Sequence, residues 1–270
     1  MNFNRRLAYV PIAMLGFTLL SAQASAALIA YDTAGDSAYN SGTVVGVNGG
    51  YGWGGSWSAN YGIYLQSSSL LGGAGSGTGY INSPQSPDGR AWAVGTIFFT
   101  GAPPTTTASR PFSGPLMPGQ TFSIDFDDGP GAVAGVLLGD LAVAMGTLIN
   151  GVPVYQAQSM IGPTVDFGPA VTDFGARADF TVLTDSTARV TITSLAPGGE
   201  SNSFVLPYST PITGMLAENL PPARGTGFLY LNNMSITPEP DGVALAIVAL
   251  AAISLARHKR PRHPRCPSAH

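Results

Sequence analysis

Short alternating apolar runs, cut off every few residues by glycine or proline, constrain this chain more than any other feature. Residues 121–127 (TFSIDFD) set Phe122, Ile124 and Phe126 on one side and Thr121, Ser123, Asp125 and Asp127 on the other. That is the period-two pattern of a half-buried strand. Comparable runs occupy residues 90–100, 178–184, 188–195, 203–206 and 227–236, and no helical period persists between residues 27 and 240. Asp185, Ser186 and Thr187 separate two runs closely enough for a hairpin, and Asn150-Gly151 is a type I′ turn signal between 147–149 and 152–155. Antiparallel pairing follows. The 35 glycines and 22 prolines supply turns throughout, so the expected architecture is all-β. It is an antiparallel β-sandwich of about ten to fourteen strands, in jelly-roll or concanavalin-like form. Residues 131–145, rich in Ala and Leu, fit a strand or loop, with a short helix as the alternative. Residues 72–79 (GGAGSGTG) read as a loop, because nothing after them opens the helix that a dinucleotide fingerprint requires.

Both ends of the chain depart from this pattern. At the start, Arg5 and Arg6 precede an apolar stretch over 7–20, and Ala24-Ser25-Ala26 supplies the small residues that signal peptidase accepts. Residues 1–26 are thus expected to be a signal peptide, cut after Ala26. At the other end, Thr237-Pro238-Glu239-Pro240-Asp241 leads into residues 242–256, which are apolar apart from Ser254. A helix there satisfies its own backbone while its side chains meet lipid. Fifteen residues rise only about 22 Å against a hydrocarbon core of about 30 Å, which suits a provisional anchor better than a permanent one. Arg257, Lys259, Arg260 and Arg262 follow at once and orient that end to the cytoplasm. An ordinary tail anchor would have no use for Pro-Glu-Pro.

A Pro-Glu-Pro tripeptide, a single apolar helix and a basic end together resemble the PEP-CTERM sorting signal of exported bacterial proteins. The resemblance covers residues 237–270 and departs from the family in Asp241, where small residues are usual, and in the tail beyond the basic cluster. It implies recognition of Pro238, Glu239 and Pro240 by a membrane-embedded exosortase, after passage through the translocon and a single signal-peptidase cut directed by Ala24 and Ala26. It also implies a Gram-negative envelope, an inner-membrane-anchored precursor, release to or retention at the cell surface, and a structural or adhesive part in exopolysaccharide and biofilm. The opening Ala30-Tyr31-Asp32 and the segment 48–54 (NGGYGWG) are similar to the mature starts of such proteins.

Between the two labels, a β-sandwich domain over residues 27–236 is expected. Residues 27–240 hold five arginines against fourteen acidic groups, a net charge of −9. That field repels phosphate backbones, so nucleic acid is excluded as a partner. His258, His263, His270, Lys259 and Cys266 all lie in the tail, which leaves the exported part without His, Lys or Cys. Ser-His-Asp and Cys-His catalysis, Walker-type phosphate loops and nitrogen- or sulfur-ligated metals fall away with them. No cofactor and no enzymatic activity are expected.

Two groups of residues carry the remaining chemistry. Asp125 and Asp127 share one strand face about 7 Å apart, within the range of glycosidase carboxylate pairs. With Arg110 or Arg177 as charge partner, they support the alternative reading of a polysaccharide hydrolase or lyase. With Asp128 and Gly-rich carbonyls they also fit a calcium site, although the spacing matches no EF-hand. Against both stands an ordinary solvated strand face. The second group is Tyr51, Trp53, Trp57, Tyr61 and Tyr64, five aromatics among glycines. Flat rings left unobstructed by glycine stack on sugars, so Tyr51, Trp53 and Trp57 are candidate carbohydrate-binding residues. The competing reading is that the two indoles plug one end of the core. Trp92, inside a strand run, is expected in the core.

Overall fold

The computed structural model describes residues 28–60, 63–67, 90–95, 105–128, 133–149, 152–169, 175–195, 198–220 and 228–238. The expected signal peptide with Ala24 and Ala26, Glu239, Pro240, the apolar run and the basic tail lie outside the described residues. So do Asn150, Gly151, Tyr61 and residues 72–79. A compact unit spans Leu28–Pro238.

Fifteen strands occur among the described residues: β1 Ala30–Asp32, β2 Ser58–Ala59, β3 Ile63–Ser67, β4 Arg90–Gly95, β5 Thr106–Pro111, β6 Gln120–Asp128, β7 Val133–Leu138, β8 Leu141–Ile149, β9 Val152–Ser159, β10 Thr164–Pro169, β11 Ala176–Thr184, β12 Thr187–Ser194, β13 Ser201–Pro207, β14 Gly214–Leu220 and β15 Phe228–Pro238. They form two sheets. The first runs β13-β12-β11-β6-β15-β4-β3 with β1 added beside β15, and the second runs β10-β9-β8-β7-β14-β5-β2. Every ladder between these strands is antiparallel.

The alternation in β6 has the consequence expected of it. Phe122, Ile124 and Phe126 are fully buried and meet Val136, Leu138, Leu141, Val143, Met215 and Ala217 of the facing sheet in one core. Each such side chain contributes about 1.5–3 kcal/mol through removal from water. With two sheets sharing one core, the molecule is a sandwich. The ten to fourteen strands expected become fifteen, because β1 and β2 are only three and two residues long. Val133–Leu138 and Leu141–Ile149 are strands joined by a turn, not a helix. Val136 faces Val143 across the β7–β8 pair, and Ala134, Val136, Leu138, Leu141 and Val143 fill the core.

Hairpins stand where the turn residues put them. Thr184 pairs with Thr187 around Asp185-Ser186, and Ile149 pairs with Val152 around the Asn-Gly dipeptide. Trp92 is fully buried. The last strand runs further than the 236 boundary anticipated. Thr237 pairs with Thr121 and Pro238 with Gln120, so the first residue of the Pro-Glu-Pro tripeptide is already strand. A proline is tolerated there because the strand end needs no donor from it.

Candidate functional site

Two polar constellations lie in the sandwich, one inside it and one on its outer side. The inner one is built on Arg110 of β5, whose guanidinium is buried against Asp32 of β1. The same nitrogen donates to the Tyr39 hydroxyl at 2.9 Å, and the other terminal nitrogen donates to Asn48 Oδ1 at 2.9 Å and the Gly49 carbonyl at 2.6 Å. Tyr39 in turn donates to Asp32 Oδ2 at 2.5 Å. Burial lowers the Arg110 pKa to about 10 and raises that of Tyr39. The Arg110 carbon lies 4.8 Å from the Trp53 ring centre and 5.6 Å from that of Trp57, an arrangement in which the ring quadrupoles favour the cation.

This arrangement corrects the expected sugar platform. Trp53 is 8% exposed and Trp57 is 1% exposed, so neither indole offers a face to solvent. Both cover the arginine and pack on the aromatic core, Trp57 on Trp92 and Trp53 on Phe112 and Phe122. The glycines between them serve close packing, not exposure. A Cβ on Gly50 or Gly52 would stand 2.1 Å from the Tyr31 or Ile29 carbonyl, and both have left-handed φ, +66° and +80°. Their lack of a side chain lets the loop lie directly on β1. Gly52 also separates its neighbours: two residues apart, Tyr51 and Trp53 would share a face in regular strand, yet Trp53 goes inside and Tyr51 is 51% exposed.

The outer constellation centres on Asp125. β6 places it opposite Arg177 of β11, which donates from Nε to Oδ1 at 2.7 Å and from Nη2 to Oδ2 at 3.2 Å. Asn233 adds a third donor, Nδ2 to Oδ2 at 2.7 Å. Asn233 is held at φ +49°, where β15 bulges against β6 between Asn232 and Ser235. The bulge turns two successive asparagines to different uses. Asn232 Oδ1 accepts from the Ala34 amide at 2.9 Å and the Thr33 hydroxyl at 3.0 Å, and its amide donates to the Arg90 carbonyl at 2.8 Å.

Asp125 and Asp127 do share the side of β6 away from the core, as the alternation requires, but both are fully buried. Arg177 and Asn233 occupy the oxygens of Asp125. Asp127 lies opposite Tyr230, with the backbone at Gly175 packed against it. The pair therefore does not present an acid and a base to a substrate. Of the two proposed charge partners, Arg177 sits with Asp125 and Arg110 belongs to the inner constellation. Among the described residues, no three His, Cys, Asp or Glu side chains gather as a metal site would need.

What faces solvent on this side is a mixed rim. The Arg177 side chain is 34% exposed. Its pKa is raised: burial works to lower it, and the hydrogen bonds and charge of Asp125 more than offset this. Half-buried Asp179, on the same strand face, has its carboxyl pushed up by burial against the pull of Ser123 and Arg177. Tyr31 borders the group, its hydroxyl raised by burial and within the fields of Asp125, Arg177 and Tyr51. Tyr230 is pushed up to about 12 by burial, with the charge of Asp127 adding to it. Reciprocal backbone bonds of 3.1 and 3.0 Å clip Tyr51 to Tyr31. Thus the fold brings Tyr51, from the aromatic segment, to the rim of the Asp125–Arg177 cluster and sends its two tryptophan neighbours elsewhere. Asn233, Asp179 and Tyr31 are additions from the fold. Two consecutive asparagines inside an apolar strand run are the one sequence sign of the bulge.

No protein-family model matches the chain, and neither does any curated protein. Among solved structures, a legume lectin-like domain from Entamoeba histolytica is 9% identical over 55% of this chain and 84% of its own, with a TM-score of 0.39. The exoplasmic/lumenal domain of VIP36, in its Ca2+/Man3GlcNAc-bound form, is 10% identical over 56% and 83%, with a TM-score of 0.38. A carbohydrate esterase from the Shiga toxin-encoding bacteriophage phi24B is 12% identical over 80% of this chain and 100% of its own, with a TM-score of 0.46. Likenesses at this level carry no functional argument, and the sandwich assignment rests on the strand pairing itself.

Proposed function

We propose that this chain is an exported envelope protein of the PEP-CTERM class whose sandwich binds carbohydrate in the cell-surface matrix and catalyses no reaction. The sorting part of this reading stands on the sequence of the two ends: a signal peptide removed after Ala26, and a Pro-Glu-Pro signal with its apolar anchor and basic stop removed by an exosortase. The envelope is Gram-negative on this reading. Eight and seven strands in two sheets exceed the eight of a jelly roll, which supports a concanavalin-like form over a jelly roll on this reading.

One observation carries the binding role: an exposed tyrosine beside a rim of fixed polar groups. Tyr51 offers an apolar ring to the C–H face of a sugar, while Arg177, Asp179 and the Tyr31 hydroxyl supply donors and acceptors for its hydroxyls. Arg177 is oriented beforehand by two bonds to Asp125, so little is lost in fixing it on binding. The acidic surface favours neutral polymers over uronate-rich ones.

The test is binding of the mature domain to neutral and acidic exopolysaccharides by affinity electrophoresis, for the native protein and for Tyr51→Ala. The exposed position leaves the fold intact, and a loss of about tenfold, roughly 1.4 kcal/mol, is expected. Unchanged retardation of the variant would remove this face as the site. New reducing ends in the polymer would make the protein an enzyme and overturn the reading.

A further inference from the structure

Chain entry and chain exit occur side by side. The Ile29 amide donates to the Ile236 carbonyl at 2.8 Å, and Ala30 pairs with Ile236. On the other flank of β15, Pro238 pairs with Gln120, whose amide donates to the Met117 carbonyl at 3.0 Å. Leu28 and Ile29 thus stand on one side of the last residues of β15, and the Met117 turn stands on the other.

The same end of the sandwich holds further turns. Thr181 pairs with Thr121, so the β11–β12 tip at Asp185-Ser186 projects there. Pro207 pairs with Thr187, and the Ser159 hydroxyl donates to the Pro207 carbonyl at 2.5 Å, which brings in the turn with Met160 and Ile161. Leu28, Ile29, Met117, Met160 and Ile161 are all exposed, from 36% to 70%. They are five of the ten large exposed apolar side chains among the described residues. Leu220, by contrast, closes β14 at the opposite end. Across 115–119, 139–140, 160–163, 185–186 and 208–213 the charged residues are Asp140 and Asp185, with no Lys or Arg.

We propose that this end of the sandwich is a membrane-apposed surface, seated on neutral lipid while the precursor is tethered. The proposal rests on the membrane topology given under Proposed function. Three residues, Glu239, Pro240 and Asp241, separate Pro238 from the apolar run, a reach of about 10 Å when fully extended. Apolar side chains held that close to a bilayer lose water on contact with its interface. The turns carry two aspartates and no basic residue, and one exposed arginine, Arg189 of β12, stands level with Thr121; the balance stays acidic and disfavours anionic headgroups, which selects zwitterionic lipid as the occupant.

The experiment uses the full-length precursor with Cys266→Ser, carrying single cysteines at Met117→Cys, Met160→Cys or Leu220→Cys, each labelled with an environment-sensitive fluorophore. Each is reconstituted into phosphatidylcholine vesicles with brominated acyl chains. Quenching at least twofold stronger at positions 117 and 160 than at 220 is expected. Equal quenching at all three, in a precursor that resists carbonate extraction, overturns this proposal and leaves the topology standing. Release by carbonate overturns the topology and the proposal together. Protection of 117 and 160 in native membranes but not in lipid vesicles assigns the surface to a protein and overturns the lipid assignment.

Discussion

Arg110 is the residue whose surroundings say most about its task. Its guanidinium is sealed between two indoles and tied to Asp32, Tyr39, Asn48 and Gly49. Removing one partner of such a pair strands the other charge, so Arg110→Ala is expected to cost about 3–5 kcal/mol in urea unfolding. Joining it to Asp32→Asn should cost less than the two single changes summed, which a double-mutant cycle measures. Asp140 gives a second, pH-dependent case. Its carboxylate accepts from the Ser209 amide at 2.8 Å and hydroxyl at 2.6 Å, and from the Thr210 amide at 3.0 Å and hydroxyl at 2.6 Å. Those bonds, the Ser209 hydroxyl first, hold its pKa down to about 2, below the value of about 3.9 for an unfolded chain. The stabilisation is therefore present above about pH 4 and lost as pH falls through 2. Asp140→Asn should lower Tm at pH 7 and flatten its decline between pH 4 and 2, as read by thermal melts across that range.

At the scale of elements, β1 and the loop that covers it form the least ordinary piece of the sandwich. β1 is only three residues long, yet it carries Asp32 to Arg110 and Tyr31 to the outer rim. It is held by β15 on one side and by the Tyr51 backbone on the other. The approach needs glycine. Gly50→Ala would put a Cβ 2.1 Å from a backbone oxygen at left-handed φ, whereas Gly42 has φ +79° and nothing within 4 Å. Gly42→Ala should cost about 1–2 kcal/mol from backbone conformation alone. Gly50→Ala should cost clearly more and dislodge the loop, a difference that near-UV circular dichroism of the nearby tryptophans and parallel melts will report. The bulge in β15 works at the same scale. It re-aims Asn233 into Asp125 at the cost of a backbone conformation rarely adopted outside glycine.

For the whole molecule, β15 connects the fold to the proposed sorting step. Thr237 and Pro238 are paired with Thr121 and Gln120, so a cut before them would remove the end of a central strand. Intact mass of the protein from its host should show a start at Ala27 and an end at or beyond Pro238. Glu239→Ala should retain the tail through His270, and a tail-free product of normal size from that variant would defeat the exosortase assignment. Much of this architecture is legible in the amino-acid sequence. Period-two alternation in β6, turn dipeptides and the lack of helical periodicity are local signals, and they establish strands, hairpins and the side of β6 that meets the core. The two proposed end labels are equally local readings, because a hydrophobic run or a tripeptide needs no tertiary context. What lies on the outer side of a strand is a different matter. Alternation puts Asp125 and Asp127 there, but whether they meet water depends on Arg177, Asn233 and the Gly175 backbone, which arrive from strands and loops distant in sequence. Likewise, glycine-spaced aromatics look alike in the sequence, and only β1 lying under Gly50 and Gly52 decides that Trp53 and Trp57 turn inward while Tyr51 stays out. Short-range periodicity and composition therefore specify the fold class, and carry the proposed address, without help from the rest of the chain. Which polar and aromatic groups are buried as braces and which remain open to a ligand is settled by the tertiary structure alone, because burial depends on partners that only long-range strand pairing brings together.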